Sequence, residues 1–419
     1  MSDFFAGLGQ KYFVRPEEDP QSALEKAAAI LGKEPMELIR HGWGGPIHQL
    51  IHHPAVRDIV IQHNHNIWIR DNAGKKTETP TYLNTKWIDF LAYNWRYVNY
   101  LDSRKKNIPD VSPLANFRHT LFFPEVGGGI RFQYVGRGFS ALGSSIYIRR
   151  LRAEPFKLST LVENGTLPQG AADTLITLIK ARSPIIISGQ TGSGKTTLLG
   201  ALVNELQVMN DPMNLLVVEK SHELPLQRPA YRWEQDAEGL VGLEHLAANA
   251  TQMGLEWLVL GESTGPEAYF VLKAFTQGVP VMTTLHATSA TAGINGLAML
   301  ALEHVRDAAL LPSFLRTLAA EAVISVHLEM SERADGVLLG QVTGIEEMID
   351  VAGNKPVVNP IWMRKRDKNT GHQTLAFNRG CVVQFSPSTK FRLHRAGLEF
   401  PPQSVYSNTS MMSSPGSTF

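Results

Sequence analysis

Cysteine is nearly missing from this chain. Cys381 stands alone among 419 residues, so no internal disulfide can form and a reducing compartment is expected. A single thiol of this kind reads as an inert, buried side chain. Long apolar runs are missing as well. None approaches the ~18 residues that a membrane-spanning helix needs, so none is expected. The opening residues Met1-Ser2-Asp3-Phe4-Phe5 lack the basic start and apolar core of a signal peptide. The expectation is a cytoplasmic protein that works at a membrane, if at all, through partners. There is no excess of one charge either. Lys and Arg number 40 and Asp and Glu 39, for a net charge of +1. That balance, with no interleaving of aromatic and basic residues, predicts no direct, specific nucleic-acid binding.

What is present is a folded composition, 43% hydrophobic and 19% charged, with room for two or three domains. Residues 1–45 read as a helical N-terminal extension: a helix over 21–31 ended by Gly32, then a short one over 35–40 stopped by Gly42, Gly44 and Gly45. Residues 46–152 read as a small α/β domain. Strands are expected at 58–62, 66–70, 130–135 and 145–150, and a helix from Trp87 to Tyr97. His52, His53, His63 and His65 have no Cys or carboxylate at ligand spacing, so they read as loop and surface histidines. Arg149, Arg150 and Arg152 cluster at the end of this region. They form either a solvated basic linker or a set of guanidinium groups placed to meet phosphate.

The stretch from Gly189 to Thr196 organises the rest. Gly189-Gln190-Thr191-Gly192-Ser193-Gly194-Lys195-Thr196, followed by Thr197, fits Gly-x-x-x-x-Gly-Lys-Thr. Before it stands the β-branched run Pro184-Ile185-Ile186-Ile187. After it, Leu198, Leu199, Leu202, Val203 and Leu206 fall at helical spacing. A loop between strand and helix can turn its backbone N–H groups on a phosphate, aided by the helix dipole. Lys195 would reach the β- and γ-phosphates, and the Thr196 hydroxyl would hold Mg²⁺.

Residues 153–350 alternate strand and helix signals, with strands expected at 184–188, 215–219, 257–261, 280–285 and 323–328. That is the pattern of a largely parallel sheet. Three of these strands run into Glu219, Glu262 and His286, and Glu223 follows closely. Parallel sheets bind ligands at the carboxyl ends of their strands, so all four are expected to converge on phosphates held by Lys195. Residues 351–400 read as a C-terminal appendage. Its basic run, 364–368, is a solvated loop or a partner patch. Residues 401–419, rich in Ser, Pro, Met and Thr, are expected to be disordered.

At this point the chain resembles the secretion, type IV pilus and conjugation traffic ATPases over roughly residues 55–350. The phosphate loop matches. Val218-Glu219-Lys220-Ser221-His222-Glu223 is similar to that family's acidic box, Ile-Glu-Asp-x-x-Glu. Gly261-Glu262-Ser263-Thr264-Gly265-Pro266-Glu267-Ala268 resembles its atypical Walker B, and Thr284-Leu285-His286-Ala287-Thr288-Ser289 its histidine box. The order and approximate spacing are the family's. Glu223-Leu224-Pro225-Leu226 is similar to the conjugation and type IV secretion branch. Upstream, Gly129-Ile130-Arg131-Phe132 and Tyr147-Ile148-Arg149-Arg150 resemble the end of the family's amino-terminal domain.

The resemblance implies a RecA-like P-loop NTPase domain after a PAS-like α/β domain. It further implies a Mg²⁺-dependent, ATP-hydrolysing homo-hexamer, peripheral at the inner membrane and docked on embedded components of a secretion, conjugation or pilus machine. Glu262 would polarise the attacking water or hold the metal through water, and Glu219 or Glu223 would share that work. His286 would sense the γ-phosphate, and Arg131 and Arg149 would clamp phosphates in the cleft between domains. Three positions depart from the family: Lys220 for its usual Asp, and Gly254 and Thr264 for arginines. They leave open a second reading, a nucleotide-binding ring scaffold with weak or partner-dependent hydrolysis.

Overall fold

Isoleucines at every second position lay down the first sheet of the computed structural model. Strand β1 (Val56–Gln62) buries Ile59 and Ile61. Around it lie β2 (Asn66–Asp71), β3 (Lys76–Tyr82), β4 (Asn116–Leu121), β5 (Ile130–Val135) and β6 (Ser145–Arg150). The order is β3-β2-β1-β6-β5-β4, antiparallel throughout. Helices α1 (Pro20–Leu31), α2 (Pro35–Arg40) and α3 (Thr85–Arg96) send Leu24, Leu38, Ile39, Trp87 and Leu91 into the same core as Ile59 and Ile148. Asp19 caps α1 by accepting from Ser22 N at 3.1 Å, and Gly32 ends it in the left-handed conformation, φ +64°.

In the middle of the second sheet, successive residues of a strand face opposite cores, so those strands read as continuous apolar runs. On β7 (Ile185–Gly189), Ile185 and Ile187 join one cluster and Ile186 the other. The same alternation holds in β8 (Leu215–Glu219) and β10 (Trp257–Leu260). With β9 (Tyr231–Glu234), β11 (Val281–Leu285) and β12 (Ile324–Glu332) they form a run β12-β7-β11-β10-β8-β9 in which every neighbour is parallel. Helices α4 (Gln169–Lys180) and α5 (Lys195–Asn210) cover one face. The other is covered by α6 (Ala268–Thr276), α7 (Ala290–Val305) and α8 (Leu311–Ala320). Beyond β12 the sheet turns antiparallel through β13 (Leu338–Ala352), β14 (Lys355–Arg366) and β15 (Gln373–Phe377), followed among the described residues by α9 (Pro387–Arg395).

The chain divides into two units, Met1–Glu154 and Pro155–Phe419. This corrects two expected boundaries, after residues 45 and 350. Residues 1–45 are not a separate extension, because α1 and α2 fill the first unit's core. Residue 350 is no boundary, because it lies inside β13. Residues 351–400 are no appendage, because they supply two strands of the second sheet. The basic run starts in a strand, not a loop: Arg364, on β14, donates to Glu329 Oε2 at 2.8 Å. The last helix is anchored by Glu347, fully buried on β13. Its carboxylate accepts from Ser386 N (3.1 Å), Ser386 Oγ (2.8 Å) and Asn359 Nδ2 (3.2 Å). Asn359 Nδ2 also donates to the carbonyl of Cys381, whose buried thiol is pushed up to about 12 by desolvation.

The structure describes residues 14–400 apart from 73, 97, 99–115, 122, 124, 125, 127, 128, 141, 152, 153, 211–213, 221, 222, 236–241, 251, 333–337, 367–372, 379 and 382–384. Tyr97, Arg152, Ser221, His222 and the expected disordered tail, 401–419, therefore lie outside the described residues.

Candidate active site

The Gly189–Thr196 loop joins β7 to α5, with the strand signal before it and the helical signal after it. Gly192 and Gly194 stand at φ +83° and +90°, where a Cβ is strained. The loop lies close against the next strand: a Cβ on Gly189 would overlap the carbonyl oxygen of Leu328 on β12. Ser193 N bonds Gln190 O at 3.2 Å, and Leu198 N bonds Gly194 O at 2.9 Å. Gln190, Thr191 and Thr196 are exposed, whereas Ser193 and Lys195 are buried. The Ser193 hydroxyl has no hydrogen-bond partner among the described residues.

Lys195 folds back over its own loop. Its ammonium donates to Gly189 O and Gln190 O, each at 2.9 Å, and stands 3.4 Å from His286 Nδ1. His286 Nε2 in turn lies 3.1 Å from Glu262 Oε1. A neutral ring protonated at Nε2 satisfies both contacts, accepting at Nδ1 and donating to the carboxylate. Burial pulls the Lys195 pKa below its usual value, and the Glu262 charge opposes that shift. Three of the expected residues, from three segments, thus meet at the carboxyl ends of β7, β10 and β11.

Two further contacts keep those segments in register. Ser263 N donates to Thr284 O at 2.7 Å, and Thr284 Oγ1 donates to Gly261 O at 2.8 Å. Glu267 staples the turn after Glu262, accepting from Thr264 N at 2.6 Å and Gly265 N at 3.0 Å. Glu267 stands in the motif that begins at Gly261, where the sequence alone assigns it no role. The signal was its place two residues after a glycine, where a buried carboxylate can tie down turn N–H groups.

Glu219 is engaged elsewhere. Oε1 accepts from Glu223 N (2.9 Å) and Leu224 N (3.0 Å), and Oε2 from Arg232 Nη2 (3.0 Å). Burial pushes this carboxyl up to about 7, against the opposing pull of Arg232 and the Leu224 N–H. Its side chain passes beneath Gly261, where a Cβ would come within 3.1 Å of Glu219 Cγ. Glu223 meets Glu219 through its backbone N–H.

Two of the three departures from the expected family pattern meet each other. Lys220 Nζ donates at 2.6 Å to Oγ1 of Thr264, two residues past Glu262 in the chain. Gly254 lies apart, in a turn before β10, at φ +61° with open space where a Cβ would stand.

Arg131 and Arg149 belong to the first unit, where they are cross-strand neighbours on β5 and β6. Arg149 Nε donates to Asp58 Oδ1 at 2.8 Å, and its Nη2 to Tyr147 OH at 2.7 Å. Arg131 is pulled down to about 10, first by burial and then by Arg149 and Arg118. Among the described residues no group of three or more His, Cys, Asp or Glu is arranged to hold a metal, and no helix is long and apolar enough to cross a membrane.

Comparison with known proteins adds relatives of one kind. The chain is 32% identical over 176 residues to the type IV secretion system protein PtlH of Bordetella pertussis, covering 40% of this chain and 50% of that one. It is 31% identical over 131 residues to the type IV secretion system protein VirB11 of Bartonella quintana, covering 30% and 36%. A candidate conjugal transfer protein of Mycobacterium tuberculosis is 24% identical over 241 residues, covering 56% and 66%. The chain thus spans no more than about two thirds of the length of these relatives. Among solved structures, the pilus retraction motor PilT with bound ADP aligns over 72% of this chain and 81% of its own, with a TM-score of 0.51 at 14% identity, a likeness of fold. The family described as Type II/IV secretion system protein matches residues 130–358, more than half of the sequence, and this chain belongs to that family.

Proposed function

We propose that the protein is an ATP-hydrolysing motor that energises a type IV secretion, conjugation or related pilus machine. The observation that carries this reading is the contact chain Lys195–His286–Glu262 beside the phosphate loop. Lys195 would exchange its loop carbonyls for the β- and γ-phosphates, assisted by backbone N–H groups from Gly189 to Thr197. Glu262 would polarise the attacking water. His286 touches both groups, so loss of the γ-phosphate would change its contacts on either side. A cavity of about 720 Å³ opens beside His286 and Thr264, which leaves that histidine room to move. Glu219 and Glu223 would shape the site from beneath Gly261. Arg131 and Arg149 would add positive charge toward phosphate.

The donors fit Mg²⁺: an exposed Thr196 hydroxyl and the Glu262 carboxylate are hard oxygen ligands. The ion would neutralise phosphate charge there. The family further supports a RecA-like second unit, a PAS-like first unit, a homo-hexamer, and a place at the inner membrane through embedded partners.

The test is steady-state ATP hydrolysis by the purified chain, with particle mass measured in the same buffer. Lys195→Ala is expected to abolish turnover, and unchanged turnover in that variant would sink the assignment. A second reading, a nucleotide-binding ring scaffold with weak hydrolysis, is favoured by the Lys220–Thr264 contact, two residues past Glu262 in the chain. A six-subunit particle that binds ATP without turning it over would select it.

A further inference from the structure

A second histidine lies behind the phosphate loop, outside the Lys195–His286–Glu262 contacts. His327, on β12, is buried. Its Nδ1 lies 2.9 Å from the hydroxyl of Ser188, the residue that precedes Gly189. Its Nε2 lies 3.6 Å from Glu329 Oε1, and Glu329 holds Arg364 at 2.8 Å. Serine, imidazole and carboxylate in this order suggest a nucleophile, but Ser188 is fully buried and no substrate reaches it. The arrangement holds structure in place.

The hydroxyl of Ser188 joins three segments. It is 2.9 Å from His327 Nδ1, and 3.3 Å from both Val326 O on β12 and Ser289 O at the cap of α7. Ser289 is three residues past His286. A hydroxyl has one proton to give, and the shortest of the three contacts is to the imidazole. Burial holds His327 below its ordinary pKa, which keeps the ring neutral and Nδ1 able to accept. The same junction is tightened nearby: Ser325 Oγ donates to Ala290 O at 2.7 Å. Gly293 lets α7 lie close, since a Cβ there would come within 3.0 Å of Ser188 Cβ.

We propose that His327 is a positioning residue. Its bond to Ser188 fixes the phosphate loop against β12, whose Ser325 holds the carbonyl of Ala290 four residues past His286, and so sets the Lys195–His286–Glu262 geometry. The proposal rests on the ATPase reading above. The loop's own bonds, Lys195 to Gly189 O and Gln190 O and Ser193 N to Gln190 O, do not involve His327. Its loss therefore acts on catalytic alignment more than on nucleotide binding.

The experiment is a kcat and KM comparison of full-length His327→Leu, His327→Gln, Ser188→Ala and the Ser188→Ala/His327→Leu double variant, with Lys195→Ala alongside. Removing either partner is expected to lower kcat about tenfold while KM for ATP stays within about twofold. The double variant is expected to be no worse than the poorer single one, because both remove one bond. His327→Gln keeps an acceptor and is expected to recover most of the rate. Unchanged kcat in both single variants, or losses that multiply in the double variant, overturns the proposal. So does a kcat loss that glutamine fails to relieve. Should His327→Leu not fold, Ser188→Ala and His327→Gln still decide. Turnover surviving Lys195→Ala would instead overturn the parent reading, a separable result.

Discussion

At the scale of single residues, Glu219 ties pH to stability. Its carboxyl sits near 7 in the folded chain against an ordinary 4.5. The folded state therefore binds this proton more tightly than the unfolded state. The contribution is fully present below pH 4.5 and is lost as pH rises through about 7. Glu219→Gln, which cannot titrate, is expected to remove that downward slope from a plot of unfolding free energy against pH. An unchanged slope would place the titration elsewhere.

Lys220 and Thr264 form the second residue-scale case. Each departs alone from the family pattern, yet they touch. Lys220→Asp alone leaves a carboxylate against a hydroxyl near Glu267, and Thr264→Arg alone sets guanidinium against ammonium. Both singles are expected to slow ATP turnover. The double variant is expected to recover, with a coupling of about 1 kcal/mol or less for so exposed a pair. A cycle with no coupling would make the contact incidental.

At the scale of elements, the late strands guard the phosphate loop from behind. Gly340 on β13 stands so close that a Cβ there would overlap the carbonyl of Ser193. Gly340→Ala must push the loop or the strand aside. It is expected to weaken ATP binding by at least about tenfold, a shift of about 1.4 kcal/mol, measured by nucleotide titration. Unaltered affinity would mean that β13 yields instead.

That dependence was not legible in the sequence. The strand–loop–helix around Lys195 was, because a β-branched run, three glycines and helical leucines all mark it locally. β13 was not, because Leu338–Ala352 lacks clean alternation and carries two glycines and paired acids at 346–347. Glu347 reads as a solvated charge until the fold brings Ser386 and Asn359 to it. His327 reads as one more apolar-strand position until β12 pairs with β7. Glu262 and His286 could be read from their strand ends. The capture of Glu219 by Arg232 could not, since it depends on β9 lying beside β8.

At the scale of the whole molecule, two units, each with its own apolar core, imply two melting events. The first unit holds one apolar cluster and the second holds two, on either face of its sheet. Calorimetry is expected to resolve two transitions, with ATP and Mg²⁺ raising the one assigned to residues 155–419. If Arg131 and Arg149 also engage phosphate, the transition of the first unit rises as well. A nucleotide shift confined to the first unit's transition would contradict the proposed site.

The solitary thiol has a practical side. Cys381 is wholly buried beside Asn359 and hard to ionise, so reagents that attack thiolates are expected to leave the native chain unmarked. A single cysteine placed at will on either unit would then carry a spin label or a fluorophore without a background signal. Movements that accompany nucleotide turnover could be followed by spectroscopy on a chain whose natural sequence is otherwise untouched.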